Sequence, residues 1–318
     1  APRFEQLNRE FEEATRDVHR KDIPFHRALA QRDLHPLLMS SPFMNRAFNK
    51  PLGYAGDYQM VSMMLGDPWQ GNNTFAKIVN ASALRHDAPA AHRNRIDLLQ
   101  QALTEVSVRT LSTYEHHAPV PDGTNRGGMS ADGENRRVKV LNIGCGPAEE
   151  ILRFAHHESV SAFVDFRLID FNAETLDYVR INLVPTLQRI RPELGIETEQ
   201  RSVHEILKMS QEKGHESEFS TGFDLVYCAG LFDYFRDATC SFLLELFYTW
   251  INPGGTVLVS NVTPAHSSIA MMGMVLDWNL ELRSRESLMS LVPRLGHQKS
   301  YVDQTGVNAF LEIRKPRE

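Results

Sequence analysis

Through the first third of the chain, hydrophobic positions recur every three or four residues; after Val138 they gather into short apolar runs separated by helical stretches. Residues 3–40 set Phe and Leu among Glu and Arg at helical spacing. Two or three helices follow, broken at Pro24 and Pro36, with the charges on a solvated face. Pro51 to Tyr58 is a turn rich in glycine and aromatics ahead of an apolar helix. Asp57 in that turn reads either as the helix cap or, with Tyr54 and Tyr58, as part of a lid that closes over a pocket. Thr74 to Leu84 predicts an amphipathic helix, and a longer one starts at Ala88 and runs to about His117. His92, Arg93 and Arg95 sit at its start, where two arginines either fix a carboxylate or pair with acids of the same region. Pro119 to Arg137 has four glycines and no apolar run, which predicts a flexible linker.

Val138, Val140, Leu141 and Ile143 suit a buried central strand, and Glu149 to Ile151 opens a helix. RLID is a second strand that ends at Asp170, and Glu174 to Arg191 is a helix with Leu176, Val179, Leu183 and Leu187 on one face. Ile196 to Arg201 and Phe223 to Cys228 are further strands. Leu243 to Trp250 is an apolar helix, followed by a Gly254-Gly255 turn, a strand from Thr256 to Ser260 and a closing hairpin. Met271, Met272, Met274 and Trp278 predict a helix over an apolar pocket. Alternation of strands and helices predicts an α/β domain over 138–318, behind a helical substrate or lid region over 1–118 and a linker over 119–137.

Between the first strand and its helix, Gly144, Cys145 and Gly146 let the chain turn tightly with its amides exposed. In such folds a carboxylate at the end of the next strand, here Asp170 beside Phe171, accepts from the two hydroxyls of a ribose. The dinucleotide fingerprint places a small residue three positions after the second glycine, around a pyrophosphate, whereas here Glu149 stands there. A carboxylate repels phosphates but tolerates an ammonium and a sulfonium, the charges of S-adenosylmethionine. The turn resembles motif I of the class I methyltransferases. That resemblance implies a Rossmann-like fold: a mostly parallel seven-stranded sheet with a C-terminal antiparallel hairpin and an N-terminal helical region. It also places Ser202 where many of those enzymes carry an Asp for the adenine amino group, with the Val203 amide beside the ring. Gly230 and Leu231 border the methionine part, and Asp233 and Tyr234 open the next helix near the transferable methyl, with Asp233 alternatively a helix cap.

At 318 residues and 42% hydrophobic content, the chain can bury a large core. A net charge of -6 argues against a nucleic acid partner, which demands a basic face. Cys145, Cys228 and Cys240 form no metal-spaced set, and His19, His26 and His35 lie seven and nine residues apart, so no metal is expected. Reduced cysteines, no apolar core of signal-peptide length near the start and no apolar run of membrane-spanning length predict a cytoplasmic protein without membrane insertion. The first residue is Ala1 rather than Met, which suggests either processing or a missing upstream stretch. GxSxG, HExxH and phosphate-loop signatures do not occur, which ranks covalent hydrolysis, zinc chemistry and ATP use low.

FNKPLGYAGDY, AHRNRIDLL, VLNIGCGP, VYCAGLFDYF, NPGGTVLVSN and VLDWNLELRS together resemble the bacterial 3-hydroxypalmitic acid methyl ester synthase family over roughly residues 40–318. The resemblance implies methylation of a hydroxy-acid carboxylate by S-adenosylmethionine, leaving S-adenosylhomocysteine. Tyr54, Tyr58 and Tyr234 then position a small carboxylate-bearing acceptor, and Arg93 or Arg95 holds its charge. A methylated amine would instead need a base, for which Asp57, Asp233 and His92 are candidates. Two other readings remain: a binding protein that senses the cofactor or a lipid without turnover, and an NAD-linked oxidoreductase, opposed by Glu149 and the hairpin. A homodimer is compatible with the sequence.

Overall fold

The computed structural model describes residues 2–115, 137–211 and 222–317. The predicted linker, apart from Arg137, lies outside them. The chain divides into two compact units, one of residues 1–95, 262–284 and 302–309 and the other of residues 96–261, 285–301 and 310–318.

The first unit is helical: α1 (Pro2–Arg16), α2 (Ile23–Leu38), α3 (Pro42–Asn49), α4 (Tyr58–Leu65), α5 (Thr74–Ala83) and the start of α6 (Asp87–Glu115). Its sequence supplies the caps. Ser41, Asp57 and Asn73 accept from the backbone amides of Met44, Met60 and Ala76 and open α3, α4 and α5. Pro24 sits in the first turn of α2, as a proline should, but Pro36 lies inside that helix and does not end it. Phe43, Met44, Ala47, Met60, Met64 and Val79 pack with Val275 and Leu276, which come from a segment two hundred positions later. At about 1.5–3 kcal/mol per buried large side chain, this cluster is a core in its own right. Met271 to Val275 forms a single π-helical turn, shorter than the helix expected there, and Trp278 lies beyond it.

The second unit holds the sheet. β1 (Val138–Ile143), α7 (Glu149–His157), β2 (Val164–Asp170), α8 (Ala173–Tyr178), a π turn leading into α9 (Val184–Ile190), β3 (Gly195–Gln200), α10 (Val203–Gln211), β4 (Phe223–Ala229), α11 (Asp237–Trp250), β5 (Ile251–Val262), α12 (Arg285–Ser290), β6 (His297–Val302) and β7 (Asn308–Arg314) follow in order. Strand order is β3-β2-β1-β4-β5-β7-β6, and the pairs from β3 to β5 are parallel. β7 runs antiparallel to β5: Gly254 N, early in β5, donates to Lys315 O just after β7, while Thr263 N, just after β5, donates to Val307 O just before β7 begins. Order and hairpin are those expected from the resemblance to class I methyltransferases.

NPGG is not a turn ahead of β5, as its glycines suggested, but part of that strand. Pairing with β4 slips between Phe223 and Leu225, and Asn252 holds the irregularity by donating to Gly222 O and Asp224 Oδ1, both at 3.0 Å. Leu99, Leu103 and Val106 on α6, Ile151 and Phe154 on α7, and Leu176, Val179, Leu183 and Leu187 after β2 share one core with Val138, Val140, Phe166 and Leu168 of the sheet.

Candidate active site

β1 and β2 pair in register from Val138 opposite Val164 to Ile143 opposite Ile169, so the chain leaves β1 beside the end of β2. The next two amides, of Gly144 and Cys145, both donate to Ile169 O, at 2.8 and 3.0 Å. This turn demands glycine: φ is +70° at Gly144 and +53° at Gly146, a region that side chains rarely adopt. A methyl group at Gly144 would lie 3.5 Å from Leu231, whereas over Gly146 there is open space. Ala148 follows in the same left-handed region, and α7 begins at Glu149, which pairs with Arg153 at 3.6 Å.

Asp170 ends β2 at 4% exposure. Its Oδ2 accepts from Gly146 N at 3.2 Å and its Oδ1 from Asn172 N at 3.0 Å. Burial pushes this carboxyl above its usual range, and the amides of Asn172, Gly146 and Phe171 oppose the shift without overcoming it. The amides do not exhaust the carboxylate, whose two oxygens together offer about four acceptor sites. Phe171 beside it is 45% exposed. The Cys145 thiol is buried and pushed well up, first by desolvation and then by the charges of Asp170 and Glu150, so it is no nucleophile.

Ser202 follows β3 by two residues and forms a capping box at the start of α10. Its amide and its hydroxyl both donate to Glu205 Oε2 at 2.7 Å, and its oxygen accepts from Glu205 N at 3.2 Å. The hydroxyl proton is thus committed, and Val203 N belongs to the first helical turn, whose amides have no acceptor within the helix. Gly230 adopts φ +91° at the end of β4. Asp233 and Tyr234 belong to a single 3-10 turn, Phe232–Tyr234, and not to the next helix, which begins at Asp237. Asp233 is buried and Tyr234 exposed.

A buried polar cluster behind the turn escaped the sequence reading. Tyr227 on β4 donates to Glu150 Oε1 at 2.8 Å, and Asn142 on β1 donates to the same oxygen at 3.2 Å and to the Tyr227 hydroxyl at 2.9 Å. Burial, then the Glu150 charge, pushes the Tyr227 phenol well up, so it stays a donor. An asparagine within an apolar strand was the one signal that could have found it.

The other candidates belong to the helical unit. Asp57 is fully buried, caps α4 and takes Arg46 Nε on both oxygens, at 2.9 and 3.0 Å, with Nη2 at 2.9 Å. Tyr58, first residue of α4, is buried, and its hydroxyl accepts from Gln59 at 3.0 Å; Tyr54 is half-buried in the turn. Arg93 donates to Met64 O and Leu84 O. Arg95 reaches His92 Nδ1 at 2.5 Å, which takes that lone pair and leaves the proton on Nε2. Desolvation, reinforced by Arg95 and Arg93, pushes His92 well below its ordinary value. A neutral ring with both nitrogens so occupied has no lone pair to act as a base.

Among the described residues no group of three or more His, Cys, Asp or Glu could hold a metal ion, and no helix is long and apolar enough to cross a membrane. No family model and no curated protein matches the chain. Among solved structures, a possible exported protein from Bordetella parapertussis is similar over 82% of this chain and 79% of its own, at 17% identity and a TM-score of 0.56. At that identity the likeness concerns the fold alone. Magnesium protoporphyrin IX methyltransferase from Synechocystis, with S-adenosylhomocysteine bound, matches over 85% of this chain and 97% of its own, at 11% identity and a TM-score of 0.48. N-methyltransferase NodS from Bradyrhizobium japonicum, also with S-adenosylhomocysteine, matches over 82% and 98%, at 11% identity and 0.44. The strand order β3-β2-β1-β4-β5-β7-β6, with β7 antiparallel to β5, makes the fold Rossmann-like.

Proposed function

We propose that this chain is an S-adenosylmethionine-dependent methyltransferase that acts on a small molecule, and that its acceptor is the carboxylate of a hydroxy fatty acid, converted to a methyl ester. The observation that carries the reading is Asp170: a buried carboxylate with no cation on it among the described residues, held by amides at the edge of a glycine turn whose second glycine faces open space.

The residues fit the cofactor. Asp170 has lone pairs left for two ribose hydroxyls, Phe171 offers an exposed ring beside it, and the turn of Gly144, Cys145 and Gly146 lets a ligand approach the backbone. Val203 N and the Ser202 oxygen serve the adenine. Gly230 and Leu231 border the methionine part, and Glu149 favours a cationic cofactor over a pyrophosphate. When bound, S-adenosylmethionine supplies a methyl on a positively charged sulfur, open to in-line attack. A carboxylate acceptor is already ionised near neutral pH, so the residues need only align it and exclude water. Tyr234 is the exposed polar side chain of its turn suited to that alignment, with Asp233 buried behind it. The hydroxy-acid acceptor is supported by PLGYAGDY and LDWNL and by the state of His92, which offers no base for an amine.

Calorimetric titration with S-adenosylmethionine, S-adenosylhomocysteine and NAD, repeated on Asp170→Ala, tests the cofactor. The first two should bind wild type, and the variant should bind them at least about thirtyfold more weakly, two charge-assisted hydrogen bonds being lost. NAD binding in their place, or no binding of any of the three, rejects the assignment. With 3-hydroxypalmitate and a methyl-labelled donor, the product should release labelled methanol in alkali, as an ester does; label that survives alkali rejects the ester.

A further inference from the structure

The helical unit contains an open cavity of about 490 Å³, within the size range of small-molecule sites. It lies between α3, the turn after it, α4 and the segment before α5. Pro42 and Pro51 contribute its apolar walls, Arg46, Asn45, Gln59 and Gln70 its polar ones. Arg46 is the one charged residue among those that line it; no Asp, Glu or Lys does.

The guanidinium is held in advance. Asp57, fully buried and fixed as the cap of α4, takes Arg46 Nε and Nη2. Nη1 is left with no protein partner among the described residues, on a side chain 16% exposed in the cavity wall. A guanidinium locked on one edge by a buried carboxylate loses little freedom when the rest of it meets a ligand. Gln70 is exposed, and its amide makes no hydrogen bond among the described residues. Gln59 is turned by donating to Tyr58, which leaves its carbonyl oxygen as an acceptor for a hydroxyl.

The geometry points to a binding site in this cavity for a small organic oxyanion, a carboxylate or a phosphate monoester, held by Arg46 Nη1 and the Gln70 amide. The site is independent of methyl transfer, and its test uses no methyl donor, so its failure leaves that reading untouched.

Ligand-observed NMR titration of the full chain with butyrate, butyl phosphate and butyramide compares two anions and a neutral control on one tail. At least one anion should bind saturably and butyramide should not; saturation by butyrate alone assigns a carboxylate, by butyl phosphate alone a phosphate monoester. Gln70→Glu, an exposed change with no hydrogen bond to lose, should weaken the anion at least about tenfold, and Gln70→Lys should tighten it. Arg46→Lys keeps a cation for Asp57 but removes Nη1, and should abolish binding. Should that variant fail to fold, the Gln70 pair decides alone. Butyramide binding as tightly as the anions, an affinity indifferent to the charge at residue 70, or no saturable binding overturns the proposal.

Discussion

Asp57 in the helical unit and Asp170 at the end of β2 are both buried carboxylates beside a glycine-containing turn, and they are satisfied in opposite ways. Asp57 is paired with a guanidinium and caps a helix. Asp170 meets backbone amides, and burial keeps its carboxyl above the usual range. One is matched in charge from within the protein; the other bears the cost of a charge that only a further donor would offset. Asp303, in the connection between β6 and β7, marks how much donation is needed. Burial pushes it up as well, yet Asn308 N, Asn94 Nδ2 and the amide and hydroxyl of Thr305 together hold it below the ordinary carboxylate range. The vicinal diol of a ribose would bring Asp170 toward that state.

The contrast breaks most readily at Asp57. Asp57→Ala strands a largely buried Arg46 and removes a cap, and should cost about 3–5 kcal/mol in urea unfolding. Asp170→Ala, in the absence of ligand, should cost no more than about 1 kcal/mol, since it loses amide bonds but also a desolvated charge. Equal losses at the two sites would remove the distinction.

Asp303→Ala should cost about 2 kcal/mol near neutral pH. Because the folded carboxyl titrates below its unfolded value, that stabilisation is present above about pH 4 and is lost as the pH falls through the folded value. Wild type and variant should therefore converge in acid; a gap that persists there would assign the loss to chain geometry instead. A smaller effect than at Asp303 belongs to Tyr227→Phe, which removes a hydroxyl from Glu150 and Asn142 while leaving those two bonded to each other. It should cost about 1 kcal/mol and change cofactor affinity by less than about threefold. A larger loss of affinity would move the cluster from support of the turn to contact with the ligand.

β1, β2 and β4 were legible because a central parallel strand is a nearly unbroken apolar run, as in VKVLNI and FDLVYCA. β3, GIETEQ, is a half-buried edge strand whose polar alternation is weaker, and it was found largely by its place after a helix. NPGG misled because two glycines serve a bulge as well as a turn, and the register against β4 is set by residues thirty positions away. Pro36 misled in the same way: a proline removes one amide, and the rest of α2 continues through it. Gly144 and Gly146 stood out because backbone geometry restricts the residue at each place, and Asp170 because it is the acid at the end of the next strand. The Arg46 to Asp57 pair and the Glu150 cluster did not, since no local rule links an acid to a partner that only folding brings near.

The chain crosses between its two units five times, at residues 95, 261, 284, 301 and 309. During synthesis, α3 and α4 therefore leave the ribosome long before Val275 and Leu276, the residues that complete their core. Phe43, Met44 and Met60 wait with part of their apolar surface uncovered while β1 to β5 are made, a window in which the nascent chain is prone to aggregate and a natural client of chaperones. A stop codon anywhere before residue 262 would deprive the helical unit of its closing segment, although the lesion lies in the other unit's stretch of sequence.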